Sequence, residues 1–386
     1  MNSTRTLVIE GWRSIPHSYA IVNMFQCLQF LKEPNLNLWH LDVPFYGPAW
    51  KPVTGLFSPT EETAIAGIPA PIPGEVPDAV FRIAAPYNIS PSVGRRTVVF
   101  GTAEFRCVPN ICIAGNRSFA SACKECDALI VTPSNWSREG FIYSGAPPQR
   151  VKMVPHGVDP STFHPVSPEE RAAMRAQLYW GGFVFLSVGA MTETKGIGPL
   201  LKAFAIVAQK HPQVRLFLKG TAALYSSRGF LNQQYSQLTQ AELALIQPRL
   251  KYLEETLSFA KMARLYQSAD AYVSCYAAEG FNMPVLEAVA SGLPVICTRG
   301  GSTDDFTTDD FALRVNSVRT PQQMEPGLVG SMQSIDFNHL VHQMMTAVES
   351  PAFTESARIK GPAFVAAGYT WQHVARRLLG ILFDSE

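Results

Sequence analysis

Charge is scarce in this sequence. Asp, Glu, Lys and Arg make up 16% of 386 residues, and 32 basic against 31 acidic side chains leave a net charge of +1. No run of like charge stands out, which argues against a nucleic-acid footprint. No stretch of about 18 apolar residues exists, so no transmembrane helix is expected. The opening MNSTRTLVIEGW lacks a signal peptide's apolar centre and reads as a first strand, so the expected location is the cytoplasm. In that setting the N-x-S/T sites at Asn2, Asn88, Asn116 and Asn135 read as chance. The seven cysteines are odd in number and scattered, which excludes a disulfide framework. Cys107, Cys112, Cys123 and Cys126 are numerous enough for zinc, but 118–128 reads as a helix and the first pair is irregular. Buried thiols are expected there, and no metal. Also missing are G-x-x-x-x-G-K-[ST], G-x-G-x-x-G after the first strand, G-x-S-x-G and H-E-x-x-H. Their absence sets aside the P-loop, that type of dinucleotide site, the nucleophile elbow and the zinc protease.

What is present is an apolar share of 47%, enough for two cores in a chain of this length. Strand-like runs at 6–10, 37–43, 81–85, 97–101, 128–132 and 151–155 alternate with helical spacing at 20–31, 59–66, 118–128 and 136–144. Residues 160–168 (PSTFHPVSP) break the periodicity and read as a linker. The pattern restarts with strands at 183–189, 214–219, 250–253, 271–275, 293–298 and 311–315, and helices at 199–209, 258–267 and 283–291. Residues 220–247 read as less regular. A long polar loop and three helices, at 337–349, 354–367 and 370–383, close the chain. This alternation means α/β domains with parallel sheets and helices on both faces. The expected division is 1–160, 161–369 and a final helix, 370–386, crossing back to the first domain.

The chemistry gathers in EGFNMPVLE, residues 279–287. Glu279 would lie in a loop after a strand, and Glu287 one turn into a helix. Pro284 suits the first turn, where its missing N–H costs nothing. Such a loop opens at the carboxyl edge of a parallel sheet, and the helix N-terminus favours a phosphate. Lys195 sits in another strand-to-helix turn of the same half. A lysine, a helix N-terminus and two carboxylates are what a nucleotide-sugar needs: cation and N–H groups for the diphosphate, carboxylates for hydroxyls. Spacing alone also allows a glycosidase pair. In the first half, the loop holding Gly11, Trp12, Arg13, His17 and Ser18 reads equally as a ligand-facing segment or a plain connection. Glu104 and Arg106 follow a strand, as site residues or a surface ion pair.

EGFNMPVLEAVASGLPVI resembles the E-x7-E signature of family 4 retaining glycosyltransferases, which reads like EGFGLPVLEAMACGTPVV. TPSNWSREGFIYSGAPPQRVKMVPHGVDPSTFHP, SVGAMTETKG and YTWQHVARRLL resemble that family's joining segment, phosphate-contacting turn and closing helix. The resemblance covers 128–386. It implies the GT-B fold, two doubly wound Rossmann-like domains facing across a cleft. It implies a retaining, metal-independent transferase with no cofactor, taking a UDP- or GDP-sugar as donor and a glycan or lipid-linked acceptor on the first domain. A lipid acceptor would bring peripheral membrane contact. Carried over, Glu279 approaches the donor sugar, Glu287 the ribose, Lys195 the diphosphate, and Gly280, Phe281, Asn282 and Met283 the donor. His156, in VPHGVD, joins the substrate-binding set. Ala190 stands where the family has an arginine, with Arg299 the suggested replacement. Gly11 and His17 stand in for its glycine-rich first loop, and Glu104 marks where a catalytic base is sought. A phosphorylase, an epimerase or a non-catalytic nucleotide-sugar binder are the alternatives on this fold.

Overall fold

The computed structural model describes residues 4–383, so the Asn2 site lies outside the described residues. Contacts divide the chain into two units. The first runs to Gly157 and adds Pro321–Ser331 and the segment from Trp371. The second comprises Val158–Thr320 and Met332–Thr370.

The first unit alternates strands and helices: β1 (Arg5–Gly11), α1 (Ser18–Phe30), β2 (Leu36–Asp42), α2 (Pro59–Ala66), β3 (Ala79–Ile83), β4 (Thr97–Phe100), α3 (Phe119–Glu125), β5 (Leu129–Thr132), α4 (Asn135–Tyr143) and β6 (Val151–Met153). All six strands pair in parallel, in the order β2-β1-β3-β4-β5-β6. Leu7 and Ile9 of β1 face Leu38 and His40 of β2 on one side and Ala79 and Phe81 of β3 on the other. Strands buried on both faces read as continuous apolar runs, which is why TLVI and TVVF serve here. Trp371 stacks on Phe25 of α1 at 4.9 Å between ring centroids.

The second unit continues with α5 (Pro168–Leu178), β7 (Val184–Val188), α6 (Ile197–Lys210), β8 (Arg215–Lys219), α7 (Ser227–Tyr235), α8 (Gln240–Ile246), β9 (Leu250–Leu253), α9 (Phe259–Ser268), β10 (Ala271–Ser274), α10 (Met283–Ala290), β11 (Val295–Thr298) and β12 (Ala312–Val315). β13 (Ser317–Glu325), β14 (Leu328–Ile335), α11 (Phe337–Glu349), α12 (Pro351–Gly368) and α13 (Trp371–Phe383) complete the chain. Its parallel sheet has the order β12-β11-β10-β7-β8-β9. Residue alternation splits the core in two. Val184, Leu186, Phe217 and Tyr272 pack against α9, α10 and α12 on one face. Phe185, Leu216, Leu218 and Val273 pack against α6 and α11 on the other. Each fully buried side chain of this size contributes about 1.5–3 kcal/mol.

Three stretches differ from the sequence reading. Residues 317–335, expected as loop, form the two-stranded ribbon β13–β14. Pro326 and Gly327 join its strands, and Gly327 has φ 82, the left-handed conformation a tight turn needs. Pro321 is tolerated because a two-stranded ribbon is all edge. The expected linker runs into α5, whose start is a capping box between Ser167 and Glu170 with Pro168 in the first turn. The less regular 220–247 holds two short helices, α7 and α8.

Candidate functional site

The loop from β10 into α10 is held from below and from the side. Asn282 adopts a left-handed conformation, φ 80, which costs a residue with a Cβ about 1–2 kcal/mol. Its side-chain amide donates to the Ser274 hydroxyl at 2.9 Å instead of capping α10. Pro284 occupies the first turn of α10. Phe281 points inward and stacks on Phe306 at 4.6 Å. The Ser302 hydroxyl donates to the Phe281 carbonyl at 3.3 Å. Gly280 and Asn282 are buried with it, while Met283 is partly exposed. The loop thus buries its side chains and leaves α10 to present its N-terminal end, positive in dipole character.

Lys195 ends a short 3-10 turn, Glu193–Lys195, in the loop after β7. Gly196 follows with φ 71, and a Cβ there would stand 2.0 Å from the Cys275 carbonyl oxygen. Only glycine brings the two loops this close. The Ala277 N–H donates to the Thr194 carbonyl at 2.7 Å, locking them together. Lys195 and Glu279, 84 residues apart, form an ion pair, with side-chain exposures of 28% and 9%. The two residues proposed for the donor's charge and hydroxyls therefore meet in space.

Glu287 lies one turn into α10, partly buried. The Tyr266 hydroxyl of α9 donates to its Oε2 at 2.7 Å. Burial pushes the Glu287 carboxyl up to about 7, against the lowering effect of that hydroxyl. Tyr266 is fully buried, and nothing local in its sequence marks it as the partner of Glu287. Arg299 is exposed one residue beyond β11. Its N–H donates to the Val315 carbonyl, and its guanidinium joins no ion pair among the described residues.

The other named residues belong to the first unit. Gly11 closes β1, where a Cβ would lie 2.8 Å from Ile83 Cγ2, so its smallness serves sheet packing. His17 caps α1, its Nδ1 accepting from the Tyr19 N–H at 3.2 Å. It sits among the rings of Trp12, Tyr19 and Trp50, and burial pulls its imidazole down to about 4. Glu104 is exposed after β4, and its carbonyl accepts from the Trp136 indole at 2.8 Å. Arg106 pairs with Glu139, the ion-pair reading of that residue. His156 is only 5% exposed, beside Phe100 and Trp371, and burial pulls it down to about 3. The ring therefore packs among these aromatic side chains and is held neutral by burial. Near Glu104 the sequence reading missed a buried hydroxyl cluster. Tyr19 and Tyr87 hydroxyls lie 2.9 Å apart, and the Tyr87 hydroxyl donates to the Thr102 carbonyl at 2.6 Å. The cysteines at 107, 112, 123 and 126 are free thiols, and no group of three metal-ligating side chains occurs among the described residues.

Two six-stranded parallel sheets, each alternating with helices along the chain, have the architecture of the GT-B fold. Solved structures of that fold superpose over nearly the whole chain. The Anabaena HepE crystal structure in complex with UDP and glucose gives a TM-score of 0.69 at 16% identity, covering 98% of this chain and 99% of that one. Over residues 171–323 the chain matches the family described as Glycosyl transferases group 1. It is 27% identical over 186 residues to mannosylfructose-phosphate synthase of Agrobacterium fabrum, covering 46% of this chain and 39% of that protein. It is 31% identical over 172 residues to D-inositol 3-phosphate glycosyltransferase of Segniliparus rotundus, covering 44% and 36%. The chain thus matches about two-fifths of the length of these curated relatives.

Proposed function

We propose that this protein is a retaining, metal-independent glycosyltransferase that moves a sugar from a nucleoside diphosphate sugar, UDP- or GDP-linked, to a hydroxyl acceptor. The observation that carries the reading is the Lys195–Glu279 pair set beside the N-terminus of α10, with Glu287 one turn further on. In this reading Lys195 and the first N–H groups of α10 hold the diphosphate. Glu279 accepts from the sugar hydroxyls and holds Lys195 in place while the donor is absent. Glu287, oriented by Tyr266, accepts from the ribose diol. Charge grows on the diphosphate as the glycosidic bond breaks, and preorganised donors stabilise it there. The departing phosphate then takes the acceptor's proton. The acceptor, a glycan, a lipid-linked glycan or a small molecule, is assigned to the first unit, with Glu104 as the group to test there. The HepE structure with UDP and glucose supports the choice of donor class.

A panel of nucleotide-sugars screened for binding and slow hydrolysis tests the donor. NMR of the product's anomeric configuration, with and without chelator, tests retention and metal independence. Glu279→Ala is expected to lower transfer by at least about 100-fold while leaving the melting transition in place. Turnover equal to wild type would remove Glu279 from the reaction.

A further inference from the structure

Lys219 is the last residue of β8, at the carboxyl edge of the second sheet. It is 6% exposed. Its register partner on β7 is Val188, and Phe217, two residues earlier, packs in the core shared with α9 and α10. Alternation along the strand sends the Lys219 side chain to that same face, the one that carries Glu287. Its Nζ donates to the Gly220 carbonyl and joins no ion pair among the described residues. Two of its three donor hydrogens are left for another acceptor. Glu255, exposed beyond β9, acts on it only at a distance.

The neighbourhood ties this lysine to the site. The Gly189 N–H donates to the Lys219 carbonyl at 3.0 Å. The Lys195 stem runs over the same glycine, its Cδ 3.7 Å from where a Cβ would be. The buried Ser227 hydroxyl donates to the Ala190 carbonyl at 2.9 Å and accepts from the Thr221 N–H at 3.1 Å, joining the loops after β7 and β8. Charge completes the case. Lys195 is neutralised by Glu279 in the free protein, so that pair alone offers a diphosphate no net cation. Lys219 is a buried cation with no carboxylate paired to it among the described residues, an arrangement that is costly unless an anion arrives.

We propose that Lys219 is a second cation of the donor site, donating to the diphosphate of the nucleoside diphosphate sugar alongside Lys195. The inference rests on the donor reading above. Burial pulls the Lys219 ammonium down to about 8. The charged group that acts on it is Glu255 beyond β9, which favours the ammonium form, against the larger effect of burial. A free cation near 8 that is stabilised by the bound diphosphate gives full binding below that pH and weaker binding above it.

The test is calorimetry of the full chain with UDP, GDP and the matching nucleosides, near pH 7. Lys219→Met is expected to weaken binding of the preferred nucleoside diphosphate by about tenfold or more, and that of the nucleoside by less than about twofold. Equal diphosphate affinity in a folded Lys219→Met protein overturns the inference and leaves the donor reading standing. If the variant does not fold, wild-type affinity is followed from about pH 7 to about pH 9.5. A fall for the diphosphate that the nucleoside does not share supports Lys219, and a flat profile overturns it. If wild-type protein binds no nucleoside diphosphate, the donor reading fails and the inference fails with it.

Discussion

Replacing Glu287 by Gln should stabilise the free protein at neutral and alkaline pH. A carboxyl raised from 4.5 to about 7 is harder to ionise in the folded state than in the unfolded chain. That rise corresponds to about 3 kcal/mol, as an upper figure because Glu287 is only partly buried. The sign follows from linkage. Below pH 4.5 the carboxyl is protonated in both states and costs nothing. Between 4.5 and about 7 the unfolded chain releases its proton first, so stability falls as pH rises. Above about 7 the penalty is complete and constant. Gln keeps the shape and can still accept from the Tyr266 hydroxyl, but it never ionises. Urea denaturation of wild type and Glu287→Gln from about pH 5 to about pH 8.5 measures the difference directly. The variant is expected to gain on wild type across that range, by up to about 3 kcal/mol, then run parallel. Parallel curves throughout would refute a carboxylate desolvated by α9 and α10. If Glu287 also accepts from the ribose diol, the same variant should bind UDP or GDP more weakly, by about 1.5–3 kcal/mol. Loss of affinity with gain of stability is the signature of a side chain retained for binding rather than folding.

Two further substitutions test how the frame is held. Gly196→Ala forces a Cβ into the Cys275 carbonyl at φ 71 and should cost more than about 2 kcal/mol, read as a drop of at least about 4 °C in the melting temperature. An unchanged transition would mean that the loops after β7 and β10 are not locked together as described. Trp371→Ala removes a ring stacked on Phe25 and should cost about 3–5 kcal/mol. Limited proteolysis should then cut the first unit before the second, and equal protection of both would count against α13 belonging to the first.

What could be read from the sequence follows from which signals are local. α2 and α11 occupy the residues expected of them, because Ser58 with Glu61 and the cap at Asp336 mark their starts and helical spacing marks their lengths. The β13–β14 ribbon escaped because its strands are polar and half-exposed, so neither shows the apolar alternation of a packed strand. Pro326 and Gly327 were the available signal. α5 escaped although Ser167-Pro168-Glu169-Glu170 announces it, because proline was read there as an end rather than a beginning. The site divides in the same way. Lys195 and Glu279 were legible because strand–loop–helix order puts both at one sheet edge, and in the structure they meet. Gly11, His156 and Lys219 all stand near the carboxyl ends of strands, yet the structure gives them three different surroundings. Gly11 is pressed against Ile83, His156 lies among aromatic rings, and Lys219 leaves its strand on the face of α10. Position on a strand names the edge, which is a local property. The surroundings of a side chain at that edge depend on elements far away in sequence. For Lys219 they rest on the pairing with β7 and on the face that α9 and α10 cover, neither of which is written in VRLFLK itself. The residues hardest to read are thus the ones whose partners come from other elements, and Tyr266 and Lys219 are both of that kind.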